Sequence, residues 1–472
     1  MQDRPRARAV SGSFGPSAGH SCMGRASPGA RRSLAVALLG FFVVTLDAFV
    51  VNVALPPISH DLGGGITGLQ WVIDGYTLAF AALLLSAGAL ADRFGARPAF
   101  GAGLAVFVAA SLACGLAPTL GVLVAARFAQ GAGAAVLMPS SLALIREAYH
   151  DAGERARAIA IWSLGAAVAS AAGPVVGGLL TLASWRTIFL VNLPVGAVAL
   201  YLLLRVARSP RRPAPFDWVG QLSAVAGMGG LVYGLIEGGA HGFAATDVVG
   251  ALTLAFIAIA AFFVAQARGA HPMVPLGLLR ARPVAVSVAG GFAFTVGFYG
   301  LVFLLSLYFQ QVRGLSPAET GLAFVPMTAL TGVLTLVAPR IAARFGPRVP
   351  MATGQLLQAA GLLGLCLAVA GAPVWLVAGL TVLVGLGSSL AVPTLTALLL
   401  GSVPAERAGT ASGVLNTCRQ LGGALAVAVF GALVAEPETF LPGMQASLAI
   451  AALLLLATAA ASLTLRARST TT

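Results

Sequence analysis

Five ionisable residues lie within or at the end of long apolar runs. Asp47, Asp74, Arg127 and Arg419 fall inside such runs, and Glu237 closes another one beside two glycines. A charged side chain costs about 2.5–3.5 kcal/mol at the centre of a membrane helix, so each of these is a candidate functional group.

A carboxyl group inside a membrane can couple transport to a proton gradient. Desolvation favours the neutral acid and a nearby cation favours the carboxylate, so a change of surroundings can load or release a proton. We expect Asp47 and Asp74 to be the proton carriers, with Arg127 as their fixed cationic partner and Glu237 as a further candidate. The alternatives are a permanent Asp–Arg pair that only holds helices together and, for Glu237, exposure to outer water.

The composition indicates that lipid surrounds these groups. Of 472 residues, 58% are apolar and 9% are charged, against about 25% charged in soluble domains. All 28 basic residues are Arg and give a net charge of +13, but they cluster between apolar runs without the interleaving that nucleic-acid binding requires. Cys22, Cys114, Cys366 and Cys418 lack metal or disulfide spacing, and no metal or cofactor is expected.

Fourteen apolar runs approach the roughly 20 residues that a membrane-crossing helix needs. The predicted spans are 34–55, 69–91, 99–117, 120–144, 158–181, 187–205, 217–237, 246–267, 284–309, 317–338, 349–370, 373–400, 408–434 and 443–465. With alternating topology, 24 Arg fall on the side of both termini and two, Arg186 and Arg313, on the other. Cytoplasmic loops carry the basic excess, which predicts a multi-pass cell-membrane protein with both termini cytoplasmic.

An internal repeat divides the chain. The copies are 93–97 with 344–348, Gly131 and Gly133 with Gly385 and Gly387, and 154–156 with 406–408, each 251 to 254 residues apart. The repeat predicts two six-helix halves with two inserted helices between them. The expected divisions are a disordered tail at 1–33, halves at 34–205 and 283–465, an insertion at 206–282 and a tail at 466–472, with Met23 as an alternative start.

The loop after the second span is expected to act as a gate. It contains Gly88, Asp92, Arg93, Gly95 and Arg97. Gly95 suits a tight turn and Gly88 a close helix approach, while Asp92 could contact a helix N-terminus or a loop Arg whose position changes as the halves rock. The simpler alternative is that the two arginines only set the topology.

This loop resembles the signature loop of the major facilitator superfamily. Further stretches resemble its fourteen-span drug–proton antiporter family: 46–56, 127–133, Gly165 with Gly173, Pro174, Gly177 and Gly178, and 185–194. The resemblance implies an all-α major facilitator fold, an antiport motif at those five residues, and proton-coupled export of small hydrophobic drugs or antibiotics by alternating access. Residues 71–76 and 138–141 look closest to methylenomycin-resistance exporters, and Ala343 replaces Asp92 in the second loop copy.

Several residues are candidates to line a substrate cavity. They are Asn52, Tyr76, Gln130, Phe294, Phe298, Asn416, Arg419 and Gln420. Aromatic side chains suit apolar substrates, although lipid contact or packing also accounts for them. Rival functions are a solute importer or metabolite exporter and, less favoured, a membrane sensor or scaffold. An enzyme is not expected, because metal spacing and phosphate-binding loops are missing from the sequence. We expect a monomer.

Overall fold

A computed structural model of the chain describes residues 27–211, 216–329, 331–404 and 407–465. Within these ranges the chain forms helices joined by turns and short loops, without a strand. The predicted disordered tail at 1–33 is wrong for its last residues, because the first helix begins at Pro28. The rest of that tail before residue 27, Met23, the tail from residue 466 and Glu406 of the repeat lie outside the described residues.

Seven helices form the N-terminal half. They are α1 (Pro28–Leu62), α2 (Gly65–Phe94), α3 (Ala96–Gly115), α4 (Leu120–Ala148), α5 (Ala152–Thr181), α6 (Thr187–Leu190) and α7 (Asn192–Leu203). The sixth predicted span is therefore broken at Val191. Pro194 has no amide hydrogen to donate to the Leu190 carbonyl, which accounts for a break at this point.

The insertion and the C-terminal half follow. The inserted helices are α8 (Trp218–His241) and α9 (Thr246–Arg268), and the short α10 (Gly277–Arg280) leads into the second half. That half contains α11 (Arg282–Leu307) with a π-helical turn at Tyr308–Val312, α12 (Pro317–Ala323), α13 (Val325–Ala329), α14 (Thr331–Phe345), α15 (Arg348–Ala368), α16 (Val374–Gly401), α17 (Ala408–Leu433) and α18 (Phe440–Leu463).

Each of the fourteen predicted runs contains one or more helices in the part of the chain that the structure describes. Among the described residues, eleven helices are long and apolar enough to cross a membrane. The other three runs are the broken sixth, the tenth, which is divided into α12, α13 and α14, and α17. Asn416, Arg419 and Gln420 lower the mean hydropathy of α17. The all-helical fold is confirmed, and the number of membrane crossings stays a prediction.

The two copies of the repeated glycine pair make corresponding contacts. A Cβ atom on Gly133 of α4 would lie 2.8 Å from the carbonyl oxygen of Gly103 in α3. A Cβ atom on Gly387 of α16 would lie 2.4 Å from the carbonyl oxygen of Gly354 in α15. Only glycine permits such close packing of two backbones, so each half uses the same device to bring its third and fourth spans together.

The repeated loop also has the same backbone in both copies. Gly95 joins α2 to α3 with φ +93°, and Gly346 joins α14 to α15 with φ +78°. Both lie in the left-handed region that favours glycine. The tight turn predicted at Gly95 is confirmed.

The largest buried apolar cluster lies where the halves meet. It includes Val53 and Leu55 from the end of α1, Leu301 and Phe309 from α11 and the turn after it, and Phe430 from α17. These residues lie toward the end of the molecule opposite the basic loops. Burial of this apolar surface fixes the halves against each other at that end.

Candidate functional site

Asp47 and Arg127 form a buried ion pair between α1 and α4. Arg127 Nη1 donates to Asp47 Oδ2 at 2.5 Å, and the exposed fractions of the two side chains are 2% and 0%. Asp47 Oδ1 accepts from Gln130 Nε2 at 2.8 Å and from Asn192 Nδ2 at 2.9 Å. Both carboxylate oxygens are therefore satisfied by residues of the N-terminal half.

The remaining contacts of Arg127 also stay within that half. Arg127 Nε donates to the Val72 carbonyl at 2.9 Å, and the guanidinium carbon lies 4.4 Å from the centroid of the Tyr76 ring. The Tyr76 hydroxyl in turn donates to the Val44 carbonyl at 3.1 Å. Tyr76 and Gln130, both candidates to line the cavity, are buried within this network.

Asn192 was missed in the sequence, although it bonds directly to Asp47. It is 1% exposed and is the first residue of α7. Its side chain also lies 3.3 Å from Ser111 Oγ of α3. The sequence signal for this residue is an amide side chain inside the apolar run 187–205.

Asp74 has a different environment from Asp47. Its side chain is 0% exposed, and among the described residues no donor lies within hydrogen-bond distance of either carboxylate oxygen. One turn earlier, Gln70 Nε2 donates to the carbonyls of Val427 and Ala428 at 3.0 and 2.7 Å. One turn later, Leu78 packs in an apolar cluster with Ala428. Residues four apart share a helix face, so Asp74 lies on the face of α2 that packs against α17 of the other half and α8 of the insertion.

The structure thus separates the two carboxylates that the sequence placed together. Arg127 pairs with Asp47 and makes no ion pair with Asp74. Glu237 is a third case, because its Oε1 accepts from Trp71 Nε1 at 2.7 Å and its Oε2 lies 3.2 Å from His241 Nδ1. Its side chain is 15% exposed. Glu237 therefore fastens the inserted helix α8 to α2.

An aromatic cluster crosses from one half to the other. It consists of Phe49 of α1 and Phe294, Phe298 and Tyr299 of α11. The Phe49 ring centroid lies 5.9 Å from that of Phe298 and 5.5 Å from that of Tyr299. Phe294 and Phe298 are 5.5 Å apart, and the Arg419 guanidinium carbon lies 5.5 Å from the Phe294 centroid. Phe294 and Phe298 are thus placed beside Arg419, as candidates for a shared site.

The other polar candidates differ in exposure. Asn416, Arg419 and Gln420 are half-buried on α17, and Asn416 donates to the Ser412 carbonyl of its own helix at 2.9 Å. Asn52 is 4% exposed and donates to the Ala48 carbonyl at 3.0 Å. The three α17 residues therefore offer polar groups near the aromatic cluster, whereas Asn52 is used within α1.

The charged start of the predicted gating loop is exposed in this conformation. Asp92 and Arg93 are exposed, and no ion pair in the described part of the chain involves Asp92. A Cβ atom on Gly88 would have no atom within 4 Å. The close helix approach expected at Gly88 is therefore not made here. Arg97 Nη2 donates to the Leu204 carbonyl at 3.1 Å, which ties the loop to the end of α7.

Three glycines of the predicted antiport motif pack α5 against α1. Gly165, Gly173 and Gly177 face Leu38, Phe49 and Val50 respectively. A Cβ atom on Gly177 would lie 2.6 Å from the Val50 carbonyl oxygen. These glycines therefore permit two membrane helices of the same half to approach closely.

The remaining residues of that motif meet the C-terminal half. A Cβ atom on Gly178 would lie 2.5 Å from the Pro317 carbonyl oxygen of α12. In return, a Cβ atom on Gly321 of α12 would lie 2.4 Å from the Pro174 carbonyl oxygen. The halves are thus held together at the end opposite the basic loops.

The family follows from comparison with known sequences. A profile of the Major Facilitator Superfamily matches residues 37–427. The chain belongs to the Major Facilitator Superfamily. It is therefore a multi-pass membrane protein, and the family expected from the loop motif is confirmed.

Several similar proteins are named for drug resistance or export. The chain is 38% identical to the multidrug resistance protein Stp of Mycobacterium tuberculosis, covering 84% of this chain and 74% of the relative. It is 38% identical to the methylenomycin A resistance protein of Streptomyces coelicolor, covering 84% of each. The tetracenomycin C resistance and export protein of Streptomyces glaucescens is 36% identical over 85% of this chain and 75% of the relative.

Solved structures share the fold. A POT family transporter in complex with 5-aminolevulinic acid superposes with a TM-score of 0.68 at 14% identity, covering 92% of this chain and 94% of that one. An auto-inhibited POT family peptide transporter gives a TM-score of 0.67 at 15% identity, covering 92% and 98%. At this identity the likeness concerns the fold alone.

Proposed function

We propose that this superfamily member is a proton-coupled antiporter that exports small hydrophobic drugs or antibiotics across the cytoplasmic membrane. Relatives named for multidrug resistance, methylenomycin A resistance and tetracenomycin C export support this proposal. Transport proceeds by alternating access, with covalent chemistry playing no part. The substrate enters between the halves from the end with the basic loops and leaves at the opposite end.

The observation that carries proton coupling is the position of Asp74. An ionised carboxylate that is fully buried without a donor is strongly disfavoured, so the present packing suits the protonated acid. Asp74 faces α17 of the other half, and separation of α2 from α17 exposes it to water. Over one cycle Asp74 releases its proton on the cytoplasmic side and takes up another from the outer side, so proton entry is coupled to substrate export.

Asp47 has a supporting role in this proposal. Arg127, Gln130 and Asn192 satisfy its carboxylate within one half. A rigid-body movement of the halves leaves those bonds intact, because none of them crosses the boundary. We therefore assign proton transfer to Asp74 and helix positioning to the Asp47–Arg127 pair.

Two contacts control access in turn. At the end opposite the basic loops, Gly178 and Pro317 pack tightly and close the path in the present conformation. At the other end, the exposed Asp92 is free to contact the C-terminal half once the molecule rocks. The backbone at Gly88 then approaches a neighbouring helix, which accounts for a glycine that has no close neighbour now.

The proposal includes the topology. The chain crosses the membrane fourteen times, both termini are cytoplasmic, and the protein acts as a monomer. The distribution of 24 Arg on one side and two on the other supports the orientation. Helix α2 contacts both α8 and α17 of the same chain. This supports a substrate pathway formed by a single chain, and therefore a monomer.

Vesicles containing the purified protein provide the test of the proposed function. We expect a panel of dyes and antibiotics to accumulate against their gradients when a proton gradient is imposed, and a protonophore to abolish the accumulation. Accumulation that survives the protonophore but requires ATP would contradict the proposal.

A further inference from the structure

Arg419 is a membrane-embedded cation for which the described residues provide no anion. It lies in α17, and none of the ion pairs in the described ranges includes it. Its Nε is inaccessible and has no hydrogen-bond partner among those residues. A charge inside a membrane is expensive to keep, so an unpaired guanidinium at this position calls for a ligand.

The side chain is aimed at the aromatic cluster by close packing. Its stem crosses α11 at Gly291, where a Cβ atom would lie 3.2 Å from Arg419 Cγ. Its guanidinium then lies over the Phe294 ring, 5.5 Å from the centroid. The ring faces the cation but offers no acceptor for its N–H groups. Phe298 and Phe49 continue the apolar surface toward the other half.

This combination specifies a substrate class. A guanidinium presents N–H donors in a fixed planar fork that matches a carboxylate, and aromatic faces hold a flat apolar body. We propose that the transported compounds are aromatic or otherwise flat apolar acids whose carboxylate binds Arg419 while their rings pack on Phe294 and Phe298. The inference rests on the proposed function and narrows its substrates to organic anions.

The charge of the surroundings supports an anion. Most Arg residues of the chain lie in the predicted loops at one end of the molecule, the end from which the substrate is proposed to enter. A basic rim raises the local concentration of anions. Asp74, which lies at the boundary between the halves, is protonated in the proposed resting state and does not repel them.

Equilibrium binding of two matched probes tests the inference. The probes are 9-anthracenecarboxylate and its primary amide, titrated by fluorescence into the full-length protein in nanodiscs without a gradient. We expect the carboxylate to bind at least about tenfold more tightly than the amide, because one charge-assisted bidentate pair accounts for that factor. Arg419→Gln removes this preference and leaves the affinity for the amide within about twofold.

Two further variants separate recognition from structure. Arg419→Lys keeps the charge but not the fork, and we expect the preference for the carboxylate to fall below that of the wild type. Arg313→Gln is the matched control, because Arg313 also lies near an aromatic ring, 5.9 Å from the Tyr308 centroid, but at the opposite end. It should change neither affinity. If Arg419→Gln does not fold, the lysine variant decides, and an unchanged preference there contradicts the inference.

The remaining outcomes are also decisive. Equal affinity of the wild type for both probes, or failure to bind either, overturns the inference. So does an Arg419→Gln variant that weakens both probes equally, because the arginine is then structural. Gradient-driven export of a neutral or cationic dye without acid-selective binding defeats only this inference. Acid-selective binding without gradient-driven export of any compound defeats only the proposed function.

Discussion

Arg127 of α4 and Asp47 of α1 are joined by a 2.5 Å contact between Nη1 and Oδ2 in the interior of the N-terminal half. Gln130 and Asn192 complete the bonding of the carboxylate. The pair therefore belongs to one rigid body. The second membrane carboxylate, Asp74, lies at the surface along which the two bodies meet.

Removal of one member of this pair should destabilise the protein. Arg127→Met leaves the Asp47 carboxylate buried without its cation, which costs about 3–5 kcal/mol. We expect a clearly lower midpoint of thermal unfolding in detergent, and partial recovery when Asp47→Asn is added. Arg186→Gln is the control, because its partner Asp61 is 45% exposed and the loss should be small. A wild-type midpoint for Arg127→Met would contradict the buried-pair account.

Much of the fold could be predicted from the sequence because lipid imposes long apolar helices. Pro194 and Pro326 lie at the breaks at Val191 and around α13, but the breaks could not be predicted from them, because Pro139 lies inside the unbroken helix α4. The neighbours toward which Asp74 points could not be predicted either. Helix α2 is apolar on most sides, so the spacing of its residues does not show that Gln70 and Leu78 turn toward α17.

The charged residues of the candidate site could be predicted from the sequence, but the partners of its uncharged polar residues could not. Asp47 and Arg127 stand out as charges in apolar runs, and the structure brings them together. Tyr76 and Gln130 were expected in a cavity, but whether a polar group faces a cavity or a buried partner depends on tertiary packing. Asn192 bonds to the same carboxylate, but it is uncharged and therefore does not stand out in its apolar run.

Gly178 should control closure of the end opposite the basic loops. Gly178→Leu places a side chain where a Cβ atom alone would lie 2.5 Å from the Pro317 carbonyl oxygen, so α5 and α12 cannot close. We expect faster labelling of a Val53→Cys probe by an impermeant maleimide added at that end, because Val53 is 0% exposed now. Gly250→Leu, at a position with open space around it, is the matched control. Equal labelling rates in the two variants would show that the contact does not close the path.

Asp92 should affect turnover and leave stability unchanged. The carboxylate is exposed in the present conformation, so Asp92→Asn removes a contact made only after the halves have moved. We expect about a tenfold or larger decrease in transport rate, equivalent to about 1.4 kcal/mol, with substrate affinity and unfolding midpoint unchanged. Asp151→Asn is the control at the same end, because Asn also caps a helix well. Normal turnover in Asp92→Asn would contradict a gating role and would indicate that the loop only sets the membrane topology.

Glu237 should not carry the coupled proton. Glu237→Gln keeps an acceptor for Trp71 Nε1 and so keeps the link between α8 and α2. We expect proton-driven export to continue at close to the wild-type rate. Glu237→Leu breaks the link and should lower the unfolding midpoint. Loss of coupling in the glutamine variant, with stability retained, would move the proton site to Glu237.

The most direct test is transport by Asp74→Asn in vesicles, with Asp47→Asn measured beside it. Asparagine keeps the shape of the side chain but cannot carry a proton. The account predicts that Asp74→Asn loses accumulation of substrate against its gradient and retains downhill exchange of substrate, whereas Asp47→Asn retains some proton-driven accumulation. Accumulation by Asp74→Asn under a proton gradient at the wild-type level would contradict it.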